Sequence, residues 1–469
     1  MFERTILNEL NTRLAANDYR PVLVSGVMGS GKTTLARQFA QRFAQTMLFD
    51  LSETYDRQVF EKISEGGLHF HDLYLYRNRD PNGGRTLLFL DHLHEAPEVW
   101  DAITALQDKP QNLFLLGASD VMDGGQRTGD RSRQSAAGSP QSAVGSTYHV
   151  SRTTSLVLRP SSFSEFLSAT GEPEALALYL ETPCPDHAHR RLMALFHRYV
   201  MVGGMPAAVS TWAEERSMQK VEKVFDQLLA SWTRLIQDQV RSRKRGSLTS
   251  SVLADSFPYA AERIRFRNFA NRQLGSRESA EIFRSLQDMQ FLDLVYPVTG
   301  TGNAVQRDSG RSPRLQFADT GMAVYFSGIR HTVADSEDLT KLVGGQVLRH
   351  VVGQEIITKD ERRKTKDDIS TMFWVSPNPQ SRAEVDFVVP FNDLLIPVVT
   401  RSGEPGRLRS LHSFIDRAPH PYAVRLCGDR LSVRKTETLR GKPFYLLSLP
   451  YYLAGRIPEH MEGFVRYIS

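Results

Sequence analysis

The chain of 469 residues has only two cysteines, Cys184 and Cys427, far apart in sequence. That scarcity excludes a disulfide framework and fits a reducing compartment. Long apolar runs are missing too: no window holds the about 18 consecutive apolar residues a membrane helix needs, and the opening MFERTILNELNTRL does not read as a secretory signal. A cytoplasmic protein with no membrane partner is expected. Charge of one sign is not in large excess either. The 58 Lys and Arg against 53 Asp and Glu leave a formal net charge of +5, which permits an acidic partner without requiring one. What is present, 24% charged and 41% hydrophobic residues, is the make-up of a soluble globular protein, and the length suggests about two to four domains.

The most specific local text is at residues 22–34, VLVSGVMGSGKTT, followed by the helical stretch LARQFAQRF. The spacing Gly26-x-x-x-x-Gly31-Lys32-Thr33, with an apolar strand before it and a helix after it, is that of a phosphate-binding loop. Gly26, Gly29 and Gly31 let the main chain curl until successive N–H groups, those of Ser30 and Thr34 among them, form an anion nest at the positive end of the helix. Lys32 is then expected to neutralise the β and γ phosphates of ATP, and the Thr33 hydroxyl to ligate Mg2+.

Strand and helix signals alternate through residues 1–118 (VLVSGV, MLFDL, TLLFLD and NLFLLGAS are the strands), which predicts a parallel sheet with helices on both faces. Residues 120–146, poor in apolar side chains and rich in Gly, Ser and Arg, read as a flexible loop. Asp91 ends the run LLFLD and so places a carboxylate at the carboxyl end of a strand, where it can hold Mg2+ through water. The next residue is His92. A neutral imidazole can orient an attacking water but is a weaker base than a carboxylate, so slow or partner-dependent hydrolysis is expected, with Glu95 one helical turn on as a substitute. In the plainer reading His92 and His94 are ordinary polar residues at a strand end. Ser119, after LLGA, is a candidate to touch the γ phosphate or the attacking water, and Arg152 to sense the transferred phosphate in cis or from a neighbouring subunit, although an arginine is as readily a solvated residue.

Past residue 150 come SRTTSLVLRPSSFSEFL and long helical text from about Pro185 to Arg241, then the basic knot RSRKRG at 241–246. Residues 252–298 read as helix, turn, helix and an apolar strand, FLDLVYPV, the order of a winged helix. Arg263, Arg265, Arg267, Arg272, Arg277 and Arg284 cluster there as candidates for nucleic-acid contact. Glu262, Glu278 and Glu281 are interleaved with them, so a solvated charged face explains the same text. Residues 299–313 suit a wing or hairpin loop. From about Leu339 a last α/β unit begins, with a helix QVLRHVVGQEI and strands TMFWVS, AEVDFVVP and LLIPVVT. Cys184 has His187 and His189 close by, but a fourth metal ligand is missing and a proline-rich loop explains the segment equally well.

The blocks GVMGSGKTTL, LLFLDHLHEAPEVW, LLGAS, LRPSSFSEFL, HRYVMVGGMPAAV, RLQFADTGM, GGQVLRHVVGQEI and FWVSPNPQSRAEVDFVV, in that order, cover almost the whole chain. Together they resemble the prokaryotic P-loop ATPases of the AAA-like, archaeal-type group, which join an ATPase core to a winged helix and a C-terminal domain of uncharacterised function with a restriction-endonuclease-like fold. The resemblance implies an α/β chain: a P-loop core over 1–165, a helical lid region over 166–250, a winged helix over 251–330 and a nuclease-like domain over 331–469. Family members usually carry a glutamate after the strand aspartate, where this chain has His92. The family's Gly-Arg pair aligns with Ser151 and Arg152. A restriction-type site needs a helix glutamate, a strand aspartate and a Glu-x-Lys pair. The family pattern puts Arg349, Asp386, Val399 and Arg401 at those positions, which leaves Asp386 in a degenerate site that Glu355 or Glu384 would have to restore.

The expected function is therefore an ATP-driven switch with weak ATPase activity. An ATP-controlled DNA-binding regulator using the winged helix is the alternative, and a metal-dependent nuclease a weaker one. A protein partner or self-association would be needed for any role of Arg152 in trans.

Overall fold

The structure, a computed structural model, describes residues 4–64, 70–96, 99, 112–118, 154–240, 242–302, 306–359, 372–400 and 408–468. The expected loop at 120–146, Ser119, Arg152 and Arg401 lie outside these residues. The chain divides into two compact units, one built on Glu3–Leu158 and the other on Arg159–Arg363 with Ile369–Ser469.

The first unit holds a five-stranded sheet, β1 (Val22–Ser25), β2 (Gln45–Asp50), β3 (Thr86–Asp91), β4 (Asn112–Ala118) and β5 (Thr154–Val157), in the order β2-β3-β4-β1-β5. Every neighbouring pair is parallel. Because side chains alternate along a strand, each strand feeds two cores. Val22, Val24, Leu87 and Phe89 pack with Leu7, Leu10, Leu35 and Phe39 from the helices Ile6–Ala15 and Lys32–Ala40. Leu23, Leu88 and Leu90 point the other way, into Val59, Phe60 and Leu73 of the helices Thr54–Ser64 and Phe70–Tyr76. Near-continuous apolar strands are what such a doubly covered sheet requires.

The second unit contains an antiparallel pair, β6 (Leu292–Val295) with β8 (Arg314–Phe317), and a larger mixed sheet. The larger sheet has seven strands: β7 (Pro297–Val298), β9 (Met372–Val375), β10 (Glu384–Phe391), β11 (Leu394–Thr400), β12 (Tyr422–Cys427), β13 (Ser432–Glu437) and β14 (Pro443–Pro450). Their order is β13-β14-β12-β11-β10-β9-β7. The expected single strand FLDLVYPV is thus two. Pro297 has no N–H to continue the β6 ladder, and the chain crosses to pair Pro297 and Val298 with Phe373 and Trp374. Residues on either side of position 330 are therefore woven into one sheet. The basic knot, expected on a loop or a helix end, opens the helix Arg243–Ser256 with its residues from Arg243 on.

Several of the sequence blocks meet in a buried polar hub of this second unit. Asp319 caps the helix Thr320–Phe326, accepting from Met322 N at 2.9 Å and from Gly204 N at 2.6 Å. A side chain at Gly203, whose φ is +70°, would put its Cβ 2.3 Å from Asp319 Oδ1, so the paired glycines are a packing requirement. Glu355 Oε1 accepts from Phe163 N at 2.9 Å and from the Tyr199 hydroxyl at 2.8 Å. Gln354 Nε2 donates to that hydroxyl at 2.8 Å, while Gln354 Oε1 accepts from Thr320 N at 2.7 Å. His350 Nε2 accepts from Phe317 N at 3.0 Å, which requires a neutral ring; burial pulls His350 down to about 3.

Candidate nucleotide site

The loop between β1 and the helix Lys32–Ala40 is shaped by local chemistry. Gly29 and Gly31 have φ of +91° and +94°, the left-handed region that glycine enters freely. A Cβ on Gly26 would lie 2.5 Å from the Leu158 carbonyl oxygen and 2.7 Å from Ser30 Oγ, so that position is closed to any side chain. Arg4 Nη1 donates to Ser30 O at 3.1 Å and braces the loop from outside the motif. Lys32 is buried, and its Nζ donates to Gly26 O at 2.8 Å and Val27 O at 3.4 Å, folded back over its own loop. Thr33 Oγ1 donates to Asp91 Oδ2 in a short hydrogen bond. A hydroxyl and a carboxylate side by side at the end of a main-chain N–H nest are the donor set that a triphosphate with a divalent cation takes. The residues present therefore fit ATP with Mg2+.

Asp91 is 58 residues from Thr33 in sequence, and the strand order puts β4 between β3, which ends in Asp91, and β1, which leads into the loop and the helix that carries Thr33. On β4, Gly117 leaves room for the carboxylate: a Cβ there would meet Asp91 Oδ1 at 2.8 Å. His92 adopts φ +57° and ψ +38°, and its own N–H donates to Asp91 Oδ1 at 3.0 Å. Its Nδ1 lies 2.8 Å from Asp50 Oδ1 at the end of β2. In the strand order β2 and β1 are on opposite sides of β3, so the His92 ring is drawn toward the strand farther from the phosphate loop. Burial raises the Asp50 carboxyl, but hydrogen bonds from Ser52 and the His92 imidazole outweigh it and leave Asp50 below its ordinary value. Glu95 is exposed at the end of the short turn Leu93–Glu95. Of these neighbours Asp50, Gly117 and Arg4 had no sequence signal beyond a strand end, a glycine in an apolar run and an arginine near the start.

The expected nuclease positions are differently occupied. Asp386 Oδ2 accepts from Thr400 N at 2.8 Å and from Thr400 Oγ1 at 3.1 Å. Arg349 pairs with Glu262 in a short contact, and Val399 is a core residue of the sheet. Neither carboxylate that could restore the site is turned to it by its bonds: Glu355 serves the hub described above, and Glu384 bridges Arg314 at 2.6 Å and Arg263 at 3.4 Å. Burial lowers the Arg314 guanidinium from its ordinary value, with Glu384 and Asp386 opposing. Cys184 is buried beside the Tyr452 hydroxyl at 3.9 Å, and His187 is exposed. Among the described residues no group of three or more His, Cys, Asp or Glu could hold a metal ion.

The arginine cluster separates into two kinds. Arg263 pairs with Glu384, Arg272 with Asp255, and Arg277 with Glu281, which also pairs with Arg245. Arg265, Arg267 and Arg284 are exposed.

Two families match parts of the chain: the AAA domain over residues 18–167, and a domain of unknown function (DUF8612) over residues 193–332. The first unit is thus a P-loop, AAA-type nucleotide-binding domain, the kind of domain found in ATPases. No curated protein matches the chain. Among solved structures, PCH-2 of C. elegans is similar at 14% identity and a TM-score of 0.29, with 50% of this chain and 70% of that one covered. A Signal Transduction ATPase with Numerous Domains from Pyrococcus horikoshii, which carries a tetratricopeptide repeat sensor, is similar at 12% identity and a TM-score of 0.26. That match covers 78% of this chain and 46% of the other. Similarity this low says nothing about function. Among the described residues no helix is long and apolar enough to cross a membrane.

Proposed function

We propose that this chain is an ATP-binding P-loop ATPase that acts as a slow, nucleotide-dependent switch in the cytoplasm. In this reading the main-chain N–H groups from Gly29 to Thr34, that of Ser30 included, with that of Gly26 behind them, bind the phosphates. Lys32 exchanges its bonds to Gly26 O and Val27 O for phosphate oxygens, and Thr33 with Asp91 holds Mg2+. The cation supplies charge neutralisation at the phosphates and orients them. The chain's own residues position the nucleotide and admit or withhold an attacking water.

The observation that carries the reading is the pairing of an intact grip with a displaced His92. Thr33 and Asp91 are already hydrogen-bonded, whereas the residue in the position of the usual catalytic glutamate is an imidazole engaged with Asp50. A ring held in that way is a poor activator of water, which favours binding over turnover. Glu95, Ser119 and Arg152 belong to the same proposal as the substitute base, the polar contact to the γ phosphate and the phosphate sensor. The segments 166–250, 251–330 and 331–469 are proposed as lid, winged helix and a nuclease-like domain kept for packing. For the last of these, the engagement of Asp386 by Thr400 and of Glu384 by Arg314 and Arg263 is the support.

Calorimetric titration of the full chain with Mg-ATP tests this. Lys32→Ala is expected to lose ATP affinity by about 100-fold or more, since a buried charge-assisted contact to phosphate is removed. Unchanged affinity would overturn the proposal. His92→Glu is expected to raise turnover severalfold at unchanged ATP affinity.

A further inference from the structure

The segment Ala261–Leu274, between the helices Arg243–Ser256 and Ser276–Asp288, is unusual in its backbone. Ala261, Asn268, Ala270 and Asn271 have φ of +58°, +54°, +50° and +60°, a left-handed conformation that non-glycine residues adopt rarely and hold only when their surroundings impose it. The surroundings here do so. Ala261 N donates to Leu315 O at 2.7 Å, Ile264 N to Pro313 O at 2.9 Å and Asn268 N to Leu274 O at 3.0 Å. Phe266 and Phe269 both pack on Phe283, with ring centroids 5.9 and 4.9 Å apart, and Phe269 also meets Tyr259 at 5.0 Å. The loop is a rigid, anchored element.

Its exposure alternates. Arg263, Arg265 and Arg267 are exposed, with buried Ile264 and half-buried Phe266 between them, so three exposed guanidinium groups follow one another along a loop anchored by the residues between them. Arg263 already pairs with Glu384, and Arg272 with Asp255. Arg265 and Arg267 have no ion-pair partner among the described residues. The neighbouring helix Ser276–Asp288 contrasts with this. Its exposed face carries Arg277, Glu278 and Arg284, with half-buried Glu281 tied to both Arg277 and Arg245. With Arg277 and Arg284 set against Glu278 and Glu281, that helix carries no net charge from these four groups and offers a polyanion little.

We propose that this arginine loop, and not the helix after it, is a docking surface for duplex DNA, gripping phosphates without reading sequence. The argument for duplex DNA is charge complementarity. Fixed, uncompensated arginines gain most from the ligand with the densest line of phosphates, through counterion release. Rigidity adds to this, because an anchored loop has little ordering entropy left to lose on binding. The arginine loop belongs to the second unit and the nucleotide loop to the first.

The test is fluorescence anisotropy of the full chain, without nucleotide, on labelled duplexes of about 30 base pairs and unrelated sequence, at salt from about 50 to 200 mM. Wild type is expected to bind all duplexes alike, with affinity falling steeply with salt. The double variant Arg265→Ala/Arg267→Ala should bind at least about ten-fold more weakly, with a log–log salt slope shallower by about 2. Arg265→Lys/Arg267→Lys should keep most of the affinity, because a point charge serves a phosphate, and this separates loss of charge from loss of fold. Salt-insensitive wild-type binding, or an alanine variant that binds like wild type, would overturn the proposal. So would a larger loss in Arg277→Ala/Arg284→Ala, which would move the contact to the helix, or tighter binding to single-stranded RNA than to duplex DNA.

Discussion

Asp91 and Asp386 are both almost fully buried, at 7% and 2% exposure, and both accept a hydrogen bond from a threonine hydroxyl. Their surroundings make them opposites. The threonine facing Asp91 stands in the first turn of the helix behind the glycine loop and donates to one carboxylate oxygen, the half-buried His92 N–H donates to the other, and a Cβ on Gly117 would crowd the carboxylate. The threonine facing Asp386 gives it both its hydroxyl and its main-chain N–H, and Arg314 Nη1 donates to the Asp386 carbonyl at 2.7 Å. A carboxylate becomes a ligand site when its neighbours leave capacity for a third party. It becomes a structural bolt when they consume it. The same contrast runs through the two units: polar groups of the first converge on a loop built for an anion, while those of the second, from Asp319 to Glu355, are spent on one another.

Replacing each aspartate is the sharpest way to break the comparison. Asp91→Ala is expected to cut Mg-dependent ATP turnover by about 100-fold, with a smaller loss of stability to urea than at Asp386, because the His92 N–H it orphans is only half-buried. Asp386→Ala should do the reverse: ATP turnover at the wild-type level and a loss of about 2 kcal/mol in stability, because a buried main-chain N–H of Thr400 is left without its acceptor. If Asp386→Ala instead abolished a metal-dependent DNA cleavage, the two sites would be alike. Gly117→Ala is a gentler probe of the room around Asp91, expected to weaken Mg2+ binding to the ATP complex by about ten-fold through a displaced carboxylate, as read by Mg2+ titration of ATP-saturated protein.

The smallest expected effect concerns pH. His350 is held neutral, its folded value pulled down to about 3 from 6.5. A depressed histidine contributes stability that is complete above about pH 6.5 and is lost as pH falls from there toward 3. Asp319, pushed up to about 6 by burial against the pull of its main-chain donors, works in the opposite sense, its contribution being lost as pH rises toward 6. The urea midpoint of the second unit should therefore fall less between pH 7 and pH 5 in His350→Gln than in wild type. An equal fall in both would show that the hub does not depend on a neutral ring.

The phosphate loop was legible from residues 22–34 because every requirement it meets is local: glycine for left-handed φ, a strand before, a helix after. The same holds for β3 and its terminal Asp91, and for the two-faced apolar strands of the first sheet. The arginine cluster was legible only as composition. Which arginines are neutralised depends on Glu384, 121 residues from Arg263, and on Asp255, 17 residues from Arg272. Nor could text alone show that Pro297 would send its strand into a second sheet, since the partner, Phe373, is supplied from far along the chain.

By itself, then, the sequence determined the local shape of the loop: glycines, a lysine, a threonine and a strand-end aspartate at the spacings of a phosphate-binding loop. Tertiary structure alone decided what surrounds that chemistry. Pairing β2 beside β3 brought Asp50 to His92, and a separation of 42 positions conceals that contact from any local reading. Folding β10 against β11 gave Asp386 to Thr400. Whether a polar side chain is available to a ligand depends on which partners the fold delivers to it, and those partners come from anywhere in the chain.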